Sequence, residues 1–222
     1  MEEHSRPENP NAEIPMLIPY KEIIEKYSCE SKNILHIGAH NAEEYDAYFD
    51  EKVEHVIWVE ANPHLIGNLN EKLDKEKNTV IEAAVSDTDG EEVTFFITNN
   101  GQSSSILELD LHLQLFPGIV PVQALKVKTK TIKTLFVEND LNFQDIDFIN
   151  LDIQGAELLA LKGIGDEIGQ VKVIYTEINT APMYKDCALI EEIDDYLSEY
   201  NFVRTETKMW ENHPWGDALY IN

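Results

Sequence analysis

The chain has 222 residues, of which 43% are hydrophobic and 27% charged, and a formal net charge of −25. That apolar content excludes a wholly disordered chain, and no apolar run approaches the roughly 20 residues that a membrane-spanning helix needs. A surface this acidic repels phosphate backbones and anionic lipid, which argues against a nucleic-acid or membrane-surface binder. It favours a cationic ligand or simply serves solubility.

Cys29 and Cys187 lie far apart and belong to no CxxC pair or metal-ligand cluster, so two reduced thiols are expected. The polar opening from Met1 to Asn11 lacks the basic and apolar regions of a signal peptide. Residues 1–15 are expected to be a disordered tail, residues 16–222 one domain, and the protein cytoplasmic.

In chain order, Tyr20, Ile23, Ile24 and Tyr27 recur at helical spacing and predict a first helix over Pro19 to Tyr27. Asn33 to Gly38 reads as a buried strand, Glu43 to Asp50 as a helix, and His55 to Glu60 as a second buried strand. Pro63 opens a helix whose apolar face is Leu65, Ile66, Leu69 and Leu73. Thr79 to Val85 predicts a third strand, and the Asp89-Gly90 turn predicts a hairpin into Glu91 to Thr98. Asn99 to Ser105 is a loop, Leu125 to Lys130 a strand, and Phe148 to Leu151 a buried strand. Ala156 to Lys162 predicts a helix stopped by Gly163 and Gly165, and Val171 to Glu177 a strand. Leu189, Ile193, Tyr196 and Leu197 mark a helix, and the strands Phe202 to Thr207 and Ala218 to Ile221 close the chain. Strands alternating with helices imply an α/β, doubly wound, mostly parallel sheet. The last two strands are joined too tightly for a crossover and should form a C-terminal antiparallel hairpin.

Ligands of such sheets lie beyond the carboxyl ends of the strands. The first strand ends in Gly38-Ala39-His40, where a glycine admits close approach. Glu60 ends the second strand, 22 residues after Gly38, the spacing of an acidic residue that accepts two ribose hydroxyls. Its plainer role is a charge at the following helix N-terminus. Asp152 ends a further strand and could instead cap the next helix. Glu177 ends another. His40, Glu60, Asp152 and Glu177 at four strand ends are hard to assign to solubility alone.

The phrases NILHIGAHNAEEY, VIWVEANP, AAVSDTDG, SSSIL, DFINLDIQGAELLALKG, VIYTEIN and WGDALYI, in this order, resemble the FkbM-type methyltransferase family from Asn33 to Ile221. The resemblance implies a seven-stranded Rossmann-like methyltransferase sheet. It implies S-adenosylmethionine as cofactor and methyl transfer to a hydroxyl of a sugar, glycan or similar small acceptor. By position, Gly38, Ala39 and His40 would line the methionine part, Glu60 would hold the ribose, and Asp152 would sit near the sulfonium and acceptor. His36, Glu44, Ala61, Asn62, Ala84 and Ser104 complete the candidate cofactor set; Glu44 could equally be a helix N-terminal charge. The chain departs from the family pattern at His36, where Asp is common, at Ala42, where a second loop glycine is absent, and at Gln154, where Glu is usual.

A hydroxyl nucleophile benefits from proton removal during transfer. The candidates are Asp152, His40 and His112, and His213 in the final loop is a further histidine to set beside them. A divalent metal is a further candidate cofactor, for which Asp152, Glu157 and Glu177 offer hard oxygen ligands. Two other functions stay open: a non-catalytic cofactor- or glycan-binding module on the same fold, and a nicotinamide-dependent oxidoreductase, against which the missing GxGxxG counts. The stretch Asn99 to Pro117 is expected to cover the site.

Overall fold

The computed structural model describes residues 16–222; the tail expected over 1–15 lies outside the described residues. In chain order the elements are α1 (Tyr20–Tyr27), β1 (Asn33–Ile37), α2 (Tyr45–Asp50), β2 (His55–Glu60), α3 (Pro63–Lys72), β3 (Asn78–Glu82), β4 (Ala84–Val85), β5 (Glu92–Thr98), α4 (Leu111–Leu115), β6 (Pro121–Lys130), α5 (Ile132–Glu138), β7 (Phe148–Leu151), α6 (Glu157–Ile164), β8 (Val173–Asn179), α7 (Ile190–Ser198), β9 (Val203–Met209) and β10 (Trp215–Ile221). Short 3-10 turns at Phe143–Asp145 and Gly165–Gln170 precede β7 and β8. No helix among the described residues is long and apolar enough to cross a membrane.

Seven strands form one sheet in the order β3-β2-β1-β7-β8-β10-β9. The first five run parallel. β10 is antiparallel to both β8 and β9 and lies between them. The central strands are buried on both faces, which is why they read as unbroken apolar runs rather than alternating ones. Leu35, Ile37, Ile57, Val59, Ile149 and Leu151 face a core completed by Ile132 and Leu135 of α5, Leu161 of α6 and Ile193 of α7. Ile34, Val56, Trp58 and Phe148 face the other side, against Tyr20 and Ile23 of α1, Tyr48 of α2 and Leu69 of α3. Helices therefore cover both faces, as a doubly wound sheet requires. Each fully buried Leu or Ile in these layers contributes about 1.5–3 kcal/mol.

The expected hairpin at Asp89-Gly90 does not form. β5 pairs antiparallel with β6 and β4 pairs parallel with β6, giving a second, three-stranded sheet. The Asp89 side chain instead accepts hydrogen bonds from Thr131 N (2.8 Å) and Thr134 Oγ1 (2.7 Å) at the start of α5. Its carboxylate is spent on a helix N-terminus rather than on a two-residue turn. Two other boundaries shift. β6 begins at Pro121, four residues before the predicted strand. α6 continues through Gly163, where a Cβ would come within 2.3 Å of the Ser86 carbonyl oxygen, and ends at Gly165. Gly163 is thus a packing residue that lets α6 lie close to the end of β4. Cys29 and Cys187 both carry free thiols.

Candidate functional site

The site is assembled where β1, β2, β7, β8 and β10 end or begin. Beyond β1 the chain turns through positive φ at Gly38 (+96°), His40 (42°) and Ala42 (53°). A Cβ on Gly38 would lie 1.8 Å from the Asp152 carbonyl oxygen. The glycine is therefore demanded by the close approach of the parallel neighbours β1 and β7 at their ends, where Asp152 N donates to the Ile37 carbonyl at 3.0 Å. Glu60, at the end of β2, ties the neighbouring loops together. Its Oε2 accepts from His40 N at 2.8 Å and its Oε1 from Asn62 N at 2.6 Å. Burial raises its pKa, against the pull of those two backbone donors. Asn62 itself caps α3 by accepting from His64 N at 3.1 Å.

A second group of acids lies at the ends of β7 and β8 and the start of β10. Gln154 stands in the left-handed region, at φ 58°. Its Nε2 donates to Asp152 Oδ1 (2.7 Å) and Glu177 Oε2 (2.5 Å), and its Oε1 accepts from the Tyr184 hydroxyl (2.6 Å). One amide thereby clamps two carboxyl groups. Burial raises the pKa of both, with the Glu43 charge adding to it for Asp152 and the Asp152 charge for Glu177, which is raised most strongly. Asp217 is paired directly across the sheet from Glu177. It accepts from the Tyr175 hydroxyl and from Leu17 N (2.8 Å), and burial pushes it up to about 7. Burial, with Glu43 beside it, pushes Glu44 up to about 8. Glu157 turns back on its own loop, where Oε1 accepts from Ile153 N (3.0 Å) and Gly155 N (3.1 Å). That fold-back takes Glu157 off the cleft wall, so the trio Asp152, Glu157 and Glu177 is not brought together. Among the described residues no three His, Cys, Asp or Glu side chains are grouped to hold a metal ion.

The histidines divide by environment. Asn150 Nδ2 donates to the Tyr48 hydroxyl at 2.7 Å, which leaves the phenol proton for His36 Nδ1 at 3.1 Å. His36 then carries its own proton on Nε2, and burial holds it neutral with a pKa of about 4. His40 pairs through Nδ1 with Glu43. Burial opposes its charged form, yet the Glu43 hydrogen bond and charge win, so its pKa is raised. His112, on α4, is wedged against the rings of Phe116 and Tyr184, and burial pushes it down to about 4. His213 stacks on Phe116 with centroids 5.0 Å apart.

These groups surround a cleft of about 540 Å³. Of the predicted residues, His36, Gly38, His40, Glu44, His112 and Asp152 line it, together with Glu177. Gly38, His40, Glu60, Ala61, Ala84, Ser104 and Asp152 line a smaller adjoining pocket between the ends of β1, β2 and β4. Ala39 faces the core and Asn62 serves α3, and neither reaches the two cavities. The stretch expected to cover the site does overhang it: Asn100, Gln102, Ser103, His112, Phe116 and Pro117 belong to the cleft wall. Sequence reasoning missed Glu43, Tyr184, Trp210 and Asp217 as wall residues. Asp217 sits in the phrase WGDALYI and could have been found from its place near the start of that strand. Tyr184 has no local signal, because a loop after β8 carries it in.

The residues present fit a cofactor with a cationic sulfonium. Glu43, Glu44, Asp152, Glu177 and Asp217 line the cleft, and among the described residues no Lys or Arg does. A family model described as Methyltransferase FkbM domain matches residues 36–204. Similar solved structures include a protein in the NADB-Rossmann superfamily from Streptococcus agalactiae, at 12% identity and a TM-score of 0.50, covering 90% of this chain and 65% of that one. TrmK of M. capricolum, in complex with S-adenosyl-homocysteine, is similar at 12% identity and a TM-score of 0.47, over 86% of this chain and 62% of that one. Magnesium protoporphyrin IX methyltransferase from Synechocystis PCC 6803, with bound S-adenosylmethionine, is similar at 9% identity and a TM-score of 0.47, over 90% and 74%. At such identities the likeness is one of fold. No curated protein matches the sequence.

Proposed function

Since the chain belongs to the FkbM methyltransferase family, with S-adenosylmethionine as its methyl donor, we propose that it methylates a hydroxyl of a sugar, glycan or similar small acceptor held in the main cleft. The observation that carries this reading is the composition of the cleft wall: five carboxyl groups and, among the described residues, no Lys or Arg. Such a wall rejects phosphorylated acceptors and nucleic acid, since neither finds a counter-cation. It accepts neutral or cationic ones.

When bound, the cofactor supplies an electrophilic methyl group on a sulfonium. Glu60, Ala61, Ala84 and Ser104, in the smaller pocket, would hold the nucleoside end. Each Glu60 oxygen already accepts one backbone N–H and keeps a further lone pair for a ribose hydroxyl. Gly38 and His40 border both cavities, which suits them to the junction between nucleoside and methionine. Asp152 would orient the acceptor hydroxyl and take its proton, with Gln154 fixing the carboxylate. His36, neutral and with Nε2 protonated, is a donor on the same wall rather than a base. Most of the acceleration would come from holding the acceptor oxygen in a near-attack position. The carboxylates also attract the cation in the ground state, so their charge does not all act on the barrier.

The test is calorimetry with S-adenosylmethionine, S-adenosylhomocysteine and nicotinamide dinucleotides, followed by transfer of labelled methyl to a panel of glycans and polyols. Binding of the first two alone and base-stable label on a hydroxyl product support the proposal. Nicotinamide binding, or label carried only on nitrogen or carbon, overturns it.

A further inference from the structure

We infer that the acceptor bears an ammonium group, seated at the β8–β10 end of the cleft against Glu177 and Asp217. This deepens the hydroxyl-methylation reading and rests on it: the ammonium anchors the acceptor while a neighbouring hydroxyl receives the methyl group. Two observations carry the inference. Glu177 and Asp217 are direct cross-strand partners, so their side chains stand on the same face of the sheet, 7% and 8% exposed. Like charges placed so destabilise an antiparallel pair, and burial makes an uncompensated carboxylate costlier still. Their hydrogen-bond donors are neutral, Gln154 Nε2 for Glu177 and the Tyr175 hydroxyl and Leu17 N for Asp217, and Glu177 meets a further acid in Asp152. Lys208, across from Asp217 on β9, is exposed and is not part of the cleft wall.

The second observation is aromatic. Trp215, two residues before Asp217, stacks on Trp210 with centroids 5.3 Å apart and planes 9° apart, and both rings line the cleft. Carboxylates beside indole faces are the surroundings in which an ammonium is held by charge and by cation–π attraction together. The nucleoside end of the cofactor does not reach this end of the cleft. The pocket containing Glu60 lies by β2 and β4, on the far side of β1 and β7 from β8 and β10.

An arriving ammonium would also ionise the pair. Burial holds Asp217 up at about 7 and Glu177 well above its usual range, so cation binding near neutral pH releases protons.

The experiment is titration calorimetry on the full chain saturated with S-adenosylhomocysteine, in two buffers of different ionisation enthalpy. The probes are glucosamine, kanamycin and spermidine, each beside its N-acetylated form. The expected result is that the amine forms bind at least about tenfold more tightly than their acetylated twins, with proton release. Glu177→Gln should shrink that gap to about threefold or less. Twins that bind alike, or amines that do not bind the loaded protein at all, overturn the inference; the wild-type comparison stands even if the variant fails to fold. Failure of S-adenosylhomocysteine to bind strikes the cofactor reading instead, and the amine titration is then repeated on the free protein.

Discussion

At the scale of single residues, Glu60 and Asp152 do different work although both end strands. Glu60 is committed to the backbone on both oxygens, so its replacement disturbs two loops as well as any ribose contact. Glu60→Ala should weaken S-adenosylhomocysteine binding by about 1–3 kcal/mol, read by calorimetry, and should also lower the melting temperature of the free protein. Unchanged affinity in the folded variant would remove Glu60 from the cofactor site. Asp152, by contrast, opens onto the cleft, its carboxyl group accepting from the Gln154 amide. Asp152→Asn keeps its shape and should lower turnover about a hundredfold while leaving cofactor affinity nearly intact. Turnover near that of the wild type would shift the role of base to His40 or His112. Much of this site was legible from strand ends: Gly38, His40, Glu60, Asp152 and Glu177 each stand where an apolar run stops. Glu43 and Tyr184 were not legible, because one acts through a histidine three residues earlier and the other arrives from a distant loop. Gly38 was read as making room for a ligand, whereas the Asp152 carbonyl fills that room.

At the scale of elements, the cover is a segment with two kinds of attachment. Its Gly/Ser part is pinned internally, with Asn100 Oδ1 accepting from Thr98 Oγ1 (2.7 Å) and Ser103 N (3.3 Å). Its apolar part rests on a small separate cluster of Met183, Tyr184 and Cys187, against which Leu111 and Phe116 pack. A short helix on a small satellite cluster sits at the low-stability end of a fold. Amides over residues 99–117 should exchange fast in the free protein and slow markedly with S-adenosylhomocysteine bound, while those of β1 and β7 stay slow in both states. Equal protection of the cover in both states would mean a fixed wall. The same scale explains which elements the sequence concealed. β1, β2 and β7 are apolar on both faces and announced themselves. β6 is exposed along most of its length, so its first residues carry no apolar pattern, and its partners β4 and β5 lie far from it in sequence. The Asp89-Gly90 signal misled because the same residue type serves turns and helix starts alike.

At the scale of the whole molecule, the net charge of −25 is felt inside as well as outside. Glu44 is raised to about 8, and Glu157 and Asp217 to about 7, so the folded protein keeps protons that the unfolded chain has lost. Their contribution to stability therefore falls as pH rises from the ordinary carboxylate range to about 8. His36 and His112, both near 4, act the other way: the unfolded chain gains protons that they refuse, so stability rises with pH from about 4 to 6.5. Above that range the carboxyl groups remain in play, and His40, whose pKa is raised, acts in the same direction. The melting temperature should thus fall between about pH 6.5 and pH 8.5, and the fall should persist in ~0.5 M salt, which screens surface charge but not buried groups. A melting temperature that rises over this interval would contradict the burial of these acids.

The position of β10 bears on how the chain is made. It is synthesised after the other nine strands of the described residues, yet it lies between β8 and β9 rather than at the rim of the sheet. Until it emerges, β8 presents an open row of amides and carbonyls along the apolar run VIYTEIN, and β9 has no neighbour on that side. A nascent chain in that condition offers an edge for any other strand to join. Translation that stops short of Trp215 would leave this edge permanently open, and such a product should be cleared or should aggregate rather than persist as a weakened enzyme.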